Sequence, residues 1–275
     1  MRFSIIVVCL NPGQKLKSTM DSILEQTCRD FEVILKDGGS TDGSVEPWRL
    51  NAGMDGSKVR FFQGQDKGIY DAMNQAVSHA VGDFVLFMNC GDRFADDKVL
   101  EWTAEHIAEQ ETAGTDMDRL VLYGDTFGEK HGVTIVSSSK ITGFTCYRNI
   151  PCHQSCFYST ALCREKPYDL QYRIRADYDH FLWCFYRAGA QFEYMSFPVA
   201  SYEGGGYSEN RENRSRSRQE HKQITGTYMG KGELLQYRTI MACTLAPLRR
   251  AMAESKAFSR VYHWVKERVY RRKGN

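Results

Sequence analysis

Three short apolar runs constrain this chain more than any other feature: Phe3 to Leu10, Phe31 to Leu35 and Phe84 to Met88. Each is rich in β-branched or aromatic residues and lacks a polar face, the pattern of a strand in a sheet covered on both sides. Between the first two, Leu16, Thr19, Met20, Ile23 and Leu24 recur at helical spacing. Ahead of the third, Ile69, Ala72, Met73, Ala76, Val77 and Ala80 form another helical stripe, which Gly82 ends. Strand, helix, strand in this order builds a mainly parallel α/β sheet flanked by helices, and such sheets bind ligands outside the carboxyl ends of their strands. Two turns fall there, Asp37-Gly38-Gly39-Ser40-Thr41-Asp42-Gly43 and Asn89-Cys90-Gly91-Asp92. Carboxylates gathered on one rim repel unless a cation or a basic partner lies between them.

The remaining sequence narrows the class. At 275 residues and 42% hydrophobic content, the chain can bury the core of one large domain or two small ones. Asn11-Pro12-Gly13 after the first strand carries no spaced glycine triplet, which argues against a dinucleotide fold. Nine cysteines, an odd number at irregular spacing, suit a reducing compartment, and the group Cys146, Cys152, His153, Cys156 and Cys163 lacks the paired Cys-x-x-Cys spacing of structural zinc sites. Ser4 to Val8 is too short for a signal peptide and no run reaches the roughly 18 apolar residues of a membrane span, so a cytoplasmic location is expected.

Charge is uneven. Residues 249–275 carry nine Lys or Arg against two Glu, a local +7, within a chain of net +2. A near-neutral body with a basic tail speaks against a nucleic-acid partner and for contact with an anionic surface at one end. Phe258, Val261, Tyr262, Val265 and Val269 make that tail amphipathic, so residues 256–275 are expected to rest on the inner face of the cytoplasmic membrane, with docking on the domain or on a second subunit as the other use of such a helix. Elsewhere a helix is expected over Asp97 to Glu111, a strand near Leu120 to Tyr123, a helix opening at Arg173 to Trp183 with acids in its first turn, and a mobile polar stretch from Arg211 to Lys222.

In order along the chain, SIIVVCLNPG, KDGGSTDG, DKGIYDAMNQAVSHAVGDFVLFMNCGD, HQSCF, ADYDHFL and YEGGGYS resemble the inverting family 2 glycosyltransferases of GT-A fold, in particular bacterial enzymes of colanic acid, capsule and O-antigen assembly. The resemblance covers roughly residues 1 to 210. It implies single displacement of a sugar from a UDP- or GDP-sugar donor to a hydroxyl of a polyprenyl-diphosphate-linked saccharide, assisted by Mg2+ or Mn2+. It divides the chain into a nucleotide-sugar-binding half (1–125), an acceptor-binding half that supplies the base (126–232) and a basic helical tail (233–275). A protein that keeps the fold and binds nucleotide sugars without turnover is the second reading.

The resemblance also carries roles to single residues. Asp177 matches the catalytic base, which must lie on the face of the sugar opposite the leaving group. Asp179, two residues on, should point to another side of the helix and ranks second. Asp92 matches the metal ligand. Asn89 and Gly91 stand where acids are commoner, so the cation is expected to arrive with the nucleotide, and Gly91 is expected to leave room for the diphosphate. Asn11, Asp37 and Gly39 are expected on the nucleotide, Asp66 and Lys67 on the loop bordering the donor, and Asp71 and Asn74 near the sugar hydroxyls. His153 matches a histidine at the junction of donor and acceptor, and Gly205 belongs to a glycine-rich loop beside the acceptor.

Overall fold

All three apolar runs are strands. The chain begins β1 (Phe3–Cys9), α1 (Gln14–Leu24), β2 (Phe31–Asp37), α2 (Glu46–Asn51), β3 (Val59–Gln63), α3 (Ile69–Val77) and β4 (Phe84–Asn89), in a computed structural model that describes residues 2–130, 132–202, 204 and 213–243. β1 lies parallel between β2 and β4, and β3 extends the sheet beyond β2. Because side chains alternate across a strand, Ile5, Val7, Leu35, Leu86 and Met88 share one core with Leu16, Met20 and Ile23 of α1. Ile6, Val8, Ile34, Val85 and Phe87 share the other with Ala72, Met73 and Ala76 of α3. Phe3, Phe31 and Phe84 are almost wholly enclosed, each burial worth about 1.5–3 kcal/mol. Gly82 is set by a close approach: a Cβ there would lie 2.6 Å from the backbone of Phe3 and Ser4.

The second part continues with β5 (Arg93–Phe94), α4 (Val99–Thr112), β6 (Leu120–Gly128), β7 (Val133–Ile135), α5 (Gly143–Arg148), β8 (Cys156–Ser159), α6 (Thr160–Glu165), α7 (Ala176–Tyr186), β9 (Gln191–Tyr202), α8 (Asn213–Tyr228) and α9 (Lys231–Cys243). The strand order is β3-β2-β1-β4-β8-β6-β9-β5, with β7 paired to β6. The sheet is parallel through its first four strands, and β6 and β9 also run parallel. β8 enters antiparallel between β4 and β6, so the expected mainly parallel sheet is mixed in its second half. The expected boundary at 125/126 falls inside β6, and the two halves share one sheet.

One segment differs sharply from expectation. From Asn213 onward the stretch read as mobile is the 16-residue helix α8, which buries Ser217, Glu220, Ile224 and Thr225. Three of these four are polar, so the helix shows no apolar stripe. α9 occupies the start of the segment taken as the tail, and residues 256–275 lie outside the described residues. Among the described residues no helix is long and apolar enough to cross a membrane.

Candidate active site

At the carboxyl end of β4, residues 89–92 close a β-turn through a 3.0 Å bond from the Asp92 N–H to the Asn89 carbonyl. Gly91 holds φ +102° at the third position, as a type II turn requires. A glycine suits the positive φ of this turn. Thr19 of α1 clamps the turn, its Oγ1 donating to the Asp92 carbonyl at 2.8 Å and accepting from the Gly91 N–H at 2.9 Å. The Asp92 side chain is buried, and its Oδ2 accepts from Gln154 Nε2 at 2.6 Å.

Gln154 follows His153 in a single 3-10 turn, His153–Ser155, just before β8. Asn89 Nδ2 donates to His153 Nε2 at 3.1 Å, and His153 Nδ1 lies 3.4 Å from Asp177 Oδ2. With the ring so held, its proton sits on Nδ1 and points at the carboxylate. Asp177, the second residue of α7, accepts on its other oxygen from Tyr70 of α3 at 2.9 Å. The same Tyr70 hydroxyl lies 2.9 Å from the Ile174 carbonyl. Asp92 and Asp177, eighty-five positions apart in the chain, therefore meet on two adjacent residues.

The electrostatics suit a base. Burial pushes the Asp177 carboxyl upward, but the bonds from His153, Tyr70 and the Tyr178 N–H outweigh it and hold the group below its ordinary value. Burial and the neighbouring Asp177 charge push the Tyr70 phenol well up, which keeps it protonated and a donor.

The part of the rim around Asp37 is organised from within. Asp37 is fully enclosed. Its carboxylate accepts from the Ser40 N–H and hydroxyl and from Gln63 Nε2 at 2.8 Å, bonds that more than offset its burial and lower its pKa. It thus shapes the 38–43 loop, with its carboxylate edges taken by Ser40 and Gln63. Asn11, at φ +48°, ties the neighbouring loop to this one, donating to Ser40 Oγ and accepting from the Thr41 N–H, each at 2.8 Å. Gly39 is exposed at φ +104°. Asp66 accepts from the Gly68 N–H at 3.0 Å, and its other oxygen lies 3.5 Å from the ammonium of buried Lys36.

Several expected positions serve the scaffold in this structure. Lys67 is exposed, and its N–H donates to Asp71, which closes the first turn of α3. Asn74 clamps both backbone groups of Tyr168, at 2.9 and 2.8 Å, so its amide faces that loop where a sugar hydroxyl was expected. Asp179 does point away from Asp177: it is buried, ion-paired with Lys166 and bonded by Tyr228 at 3.0 Å. Gly205 lies outside the described residues. Tyr70 and Gln154 were not singled out from the sequence, although both sit inside the motif stretches GIYDAMN and HQSCF.

Among the described residues no group of three or more His, Cys, Asp or Glu side chains is gathered as a metal site. The rim does offer oxygen donors: the Asp92 carboxylate and Asn89 Oδ1, which is buried without a hydrogen-bond partner. Oxygen donors suit Mg2+ or Mn2+, and so sparse a set fits a cation that brings phosphate and water ligands of its own.

The sequence model for Glycosyl transferase family 2 matches residues 4–169. A PGL/p-HBAD biosynthesis glycosyltransferase of Mycobacterium tuberculosis is 36% identical over 208 residues, 75% of this chain and 78% of its own length. S. aureus TarS 1-349 in complex with UDP-GlcNAc has a similar structure, with TM-score 0.63 and 19% identity over 94% of this chain and 74% of that one. In another crystal structure of TarS 1-349 the match covers 60% of that chain. The mannosyltransferase PcManGT from Pyrobaculum calidifontis, in complex with GDP-Man and Mn2+, matches with TM-score 0.63 and 16% identity over 98% of this chain and 84% of its own. At such identities the structural likeness is one of fold, and the fold is GT-A.

Proposed function

The chain belongs to glycosyl transferase family 2, and from that premise we propose an inverting transferase that moves a sugar from a UDP- or GDP-sugar to a hydroxyl of a polyprenyl-diphosphate-linked saccharide in bacterial surface-glycan assembly. The carrying observation is the ionised Asp177, held between Tyr70 and His153 and tied through the His153-Gln154 pair to the rim that bears Asn89 and Asp92. UDP-GlcNAc and GDP-Man in the related folds support a nucleotide-sugar donor.

In the reaction the acceptor hydroxyl attacks the anomeric carbon from the face opposite the diphosphate, and the new C–O bond forms as the bond to phosphate breaks. The hydroxyl proton passes to Asp177, a step worth about 10²–10⁴ in rate for a well-placed general base. As that carboxylate becomes neutral, the Tyr70 hydrogen can turn from Asp177 to the Ile174 carbonyl, which lies at the same 2.9 Å, leaving the phenol oxygen to accept the new Asp177 proton. His153, fixed by Asn89, steers the other carboxylate oxygen. Asp92, with Asn89 Oδ1 beside it, would hold a Mg2+ or Mn2+ ion whose charge offsets that of the departing diphosphate. The 38–43 loop, Asn11, Asp66 and Lys67 border the nucleotide, and residues 256–275 would bring the site to the anionic inner face of the membrane.

The second reading, nucleotide-sugar binding without turnover, draws on the thin acidic set at the rim. One experiment separates the two. The full chain is screened by thermal shift against UDP-GlcNAc, UDP-glucose and GDP-mannose with and without Mn2+, and nucleotide release is followed for each donor that raises the melting temperature. A Mn2+-dependent rise with release supports the transferase. A rise without release, in the presence of lipid-linked saccharide extract, supports the binding protein, and no rise with any nucleotide sugar rejects both.

A further inference from the structure

Glu220 sits in α8, well beyond the residues matched by the family model. It is 5% exposed, and its carboxylate is turned onto the backbone that leads into α7. Oε2 accepts from the N–H groups of Ile174 and Arg175, each at 3.0 Å, and Oε1 accepts from that of Arg173 at 3.1 Å. α7 has no side-chain cap of its own at Arg175. Buried backbone N–H groups must find acceptors somewhere, and here one side chain at least forty-five positions away takes those of Arg173, Ile174 and the N-cap residue Arg175. Ser217, one turn earlier in α8, fixes the same segment by accepting from Arg175 Nε on both its carbonyl and its hydroxyl at 2.8 Å.

The held segment is the one that sets the base. Ile174 is gripped on both sides of its peptide chain: its N–H by Glu220, its carbonyl by the Tyr70 hydroxyl that also reaches Asp177. Asp177 follows three residues later, so its backbone and one of its two hydrogen-bond partners both depend on where this segment lies. A base delivers its full effect only when held to within about 0.5 Å of its working position. We propose that Glu220 is a positioning residue for Asp177, a role that rests on the reading of Asp177 as the base. Three converging N–H donors call for a side chain that only accepts, which a carboxylate does. A glutamine of the same size would turn its own NH2 against one of the three.

The test is a mutant cycle on nucleotide release, using whichever of UDP-GlcNAc, UDP-glucose and GDP-mannose the wild type consumes. E220A should lower kcat tenfold or more while leaving donor KM within threefold, because the donor loops lie on the other half of the rim. E220Q should lower kcat by about three- to tenfold with a melting temperature between those of wild type and E220A. In a D177N background neither change should lower the residual rate further, since both act through the same carboxylate. If E220A does not fold, the E220Q and D177N pair carries the cycle. Equal losses in both backgrounds, or a donor KM that rises in step with the fall in kcat, would overturn the inference while leaving the base reading intact. A wild type that releases nucleotide from no donor would remove the base reading and this inference together.

Discussion

Replacing Tyr70 by Phe isolates what sets the protonation of Asp177, the proposed base. The wild-type carboxyl is pushed up by burial and pulled down by His153, Tyr70 and the Tyr178 N–H, with the downward influences prevailing. Y70F keeps the ring, which packs edge-on to Tyr168 at 5.2 Å between centroids, and deletes only the hydroxyl 2.9 Å from Oδ1. A hydrogen bond to a charged group is worth about 1.5–3 kcal/mol. At 1.36 kcal/mol per pH unit, its loss should raise the Asp177 pKa by about 1–2 units. The direction follows from which form is favoured: the hydroxyl donates to the ionised carboxylate, so removing it favours the neutral acid. The acid limb of kcat, followed at saturating donor down to the lowest pH at which the fold persists, lies below pH 4 in the wild type and should therefore move up into the measured range in Y70F, with a smaller change at pH 8. Melting temperature should fall as well, since the Ile174 carbonyl loses its partner. An acid limb that stays in place while kcat drops equally at every pH would refute the reasoning.

Three further outcomes are expected. Gly91→Ala puts a Cβ at φ +102°, a conformation costing about 1–2 kcal/mol for an L residue, and should lower both the melting temperature and the Mn2+-dependent thermal shift with donor; unchanged values would mean the turn does not shape the rim. Asn74→Ala strands the Tyr168 N–H and carbonyl, so urea denaturation should show a loss of about 1–3 kcal/mol with donor KM unaltered, whereas a raised KM at full stability would restore the sugar-contact role. Burial pushes the His180 ring down from 6.5 to about 4. The unfolded chain then binds a proton that the folded chain refuses, and stability should drop by roughly 3 kcal/mol as pH falls from 6.5 toward 4. The lowered carboxylates Glu32, Asp37, Asp42, Glu129 and Asp177 begin to add their own loss as pH falls through the ordinary values of 4.5 for Glu and 3.8 for Asp, and complete it below their folded values. A flat urea midpoint between pH 7 and 4.5 would contradict the His180 account.

The elements that could be read from sequence were those whose burial is apolar and periodic. β1, β2, β4, α1 and α3 all present runs or stripes of aliphatic residues, and the rule that ligands gather at strand carboxyl ends put Asp37 and Asp92 on one rim. β3 escaped because Val-Arg-Phe-Phe-Gln lies at the sheet edge with only Val59 buried. α8 escaped because Ser217, Glu220 and Thr225 fill three of its four buried positions. The partners of Asp177 and Asp92 were hidden for a different reason. Tyr70 and Asp177 are 107 positions apart, and Gln154 and Asp92 are 62 apart, so each contact exists only once the sheet is assembled. Residue type alone does not tell a side chain that faces a ligand from one that serves backbone: Asn74 and Asp71 share a polar helix face in sequence, yet both bond to neighbouring loop backbone. The convergence of Asp92 and Asp177 on the His153-Gln154 pair is the part of the site that only the structure supplies.

The most direct test is Asp177→Asn, read by donor binding and by transfer in parallel. Asparagine fills the same space and still accepts from Tyr70, but it cannot take a proton from an acceptor hydroxyl. The variant should bind the preferred nucleotide sugar with Mn2+ within about threefold of wild type, yet lose transfer by about 10²–10⁴. Transfer within tenfold of wild type would contradict the assignment of the base.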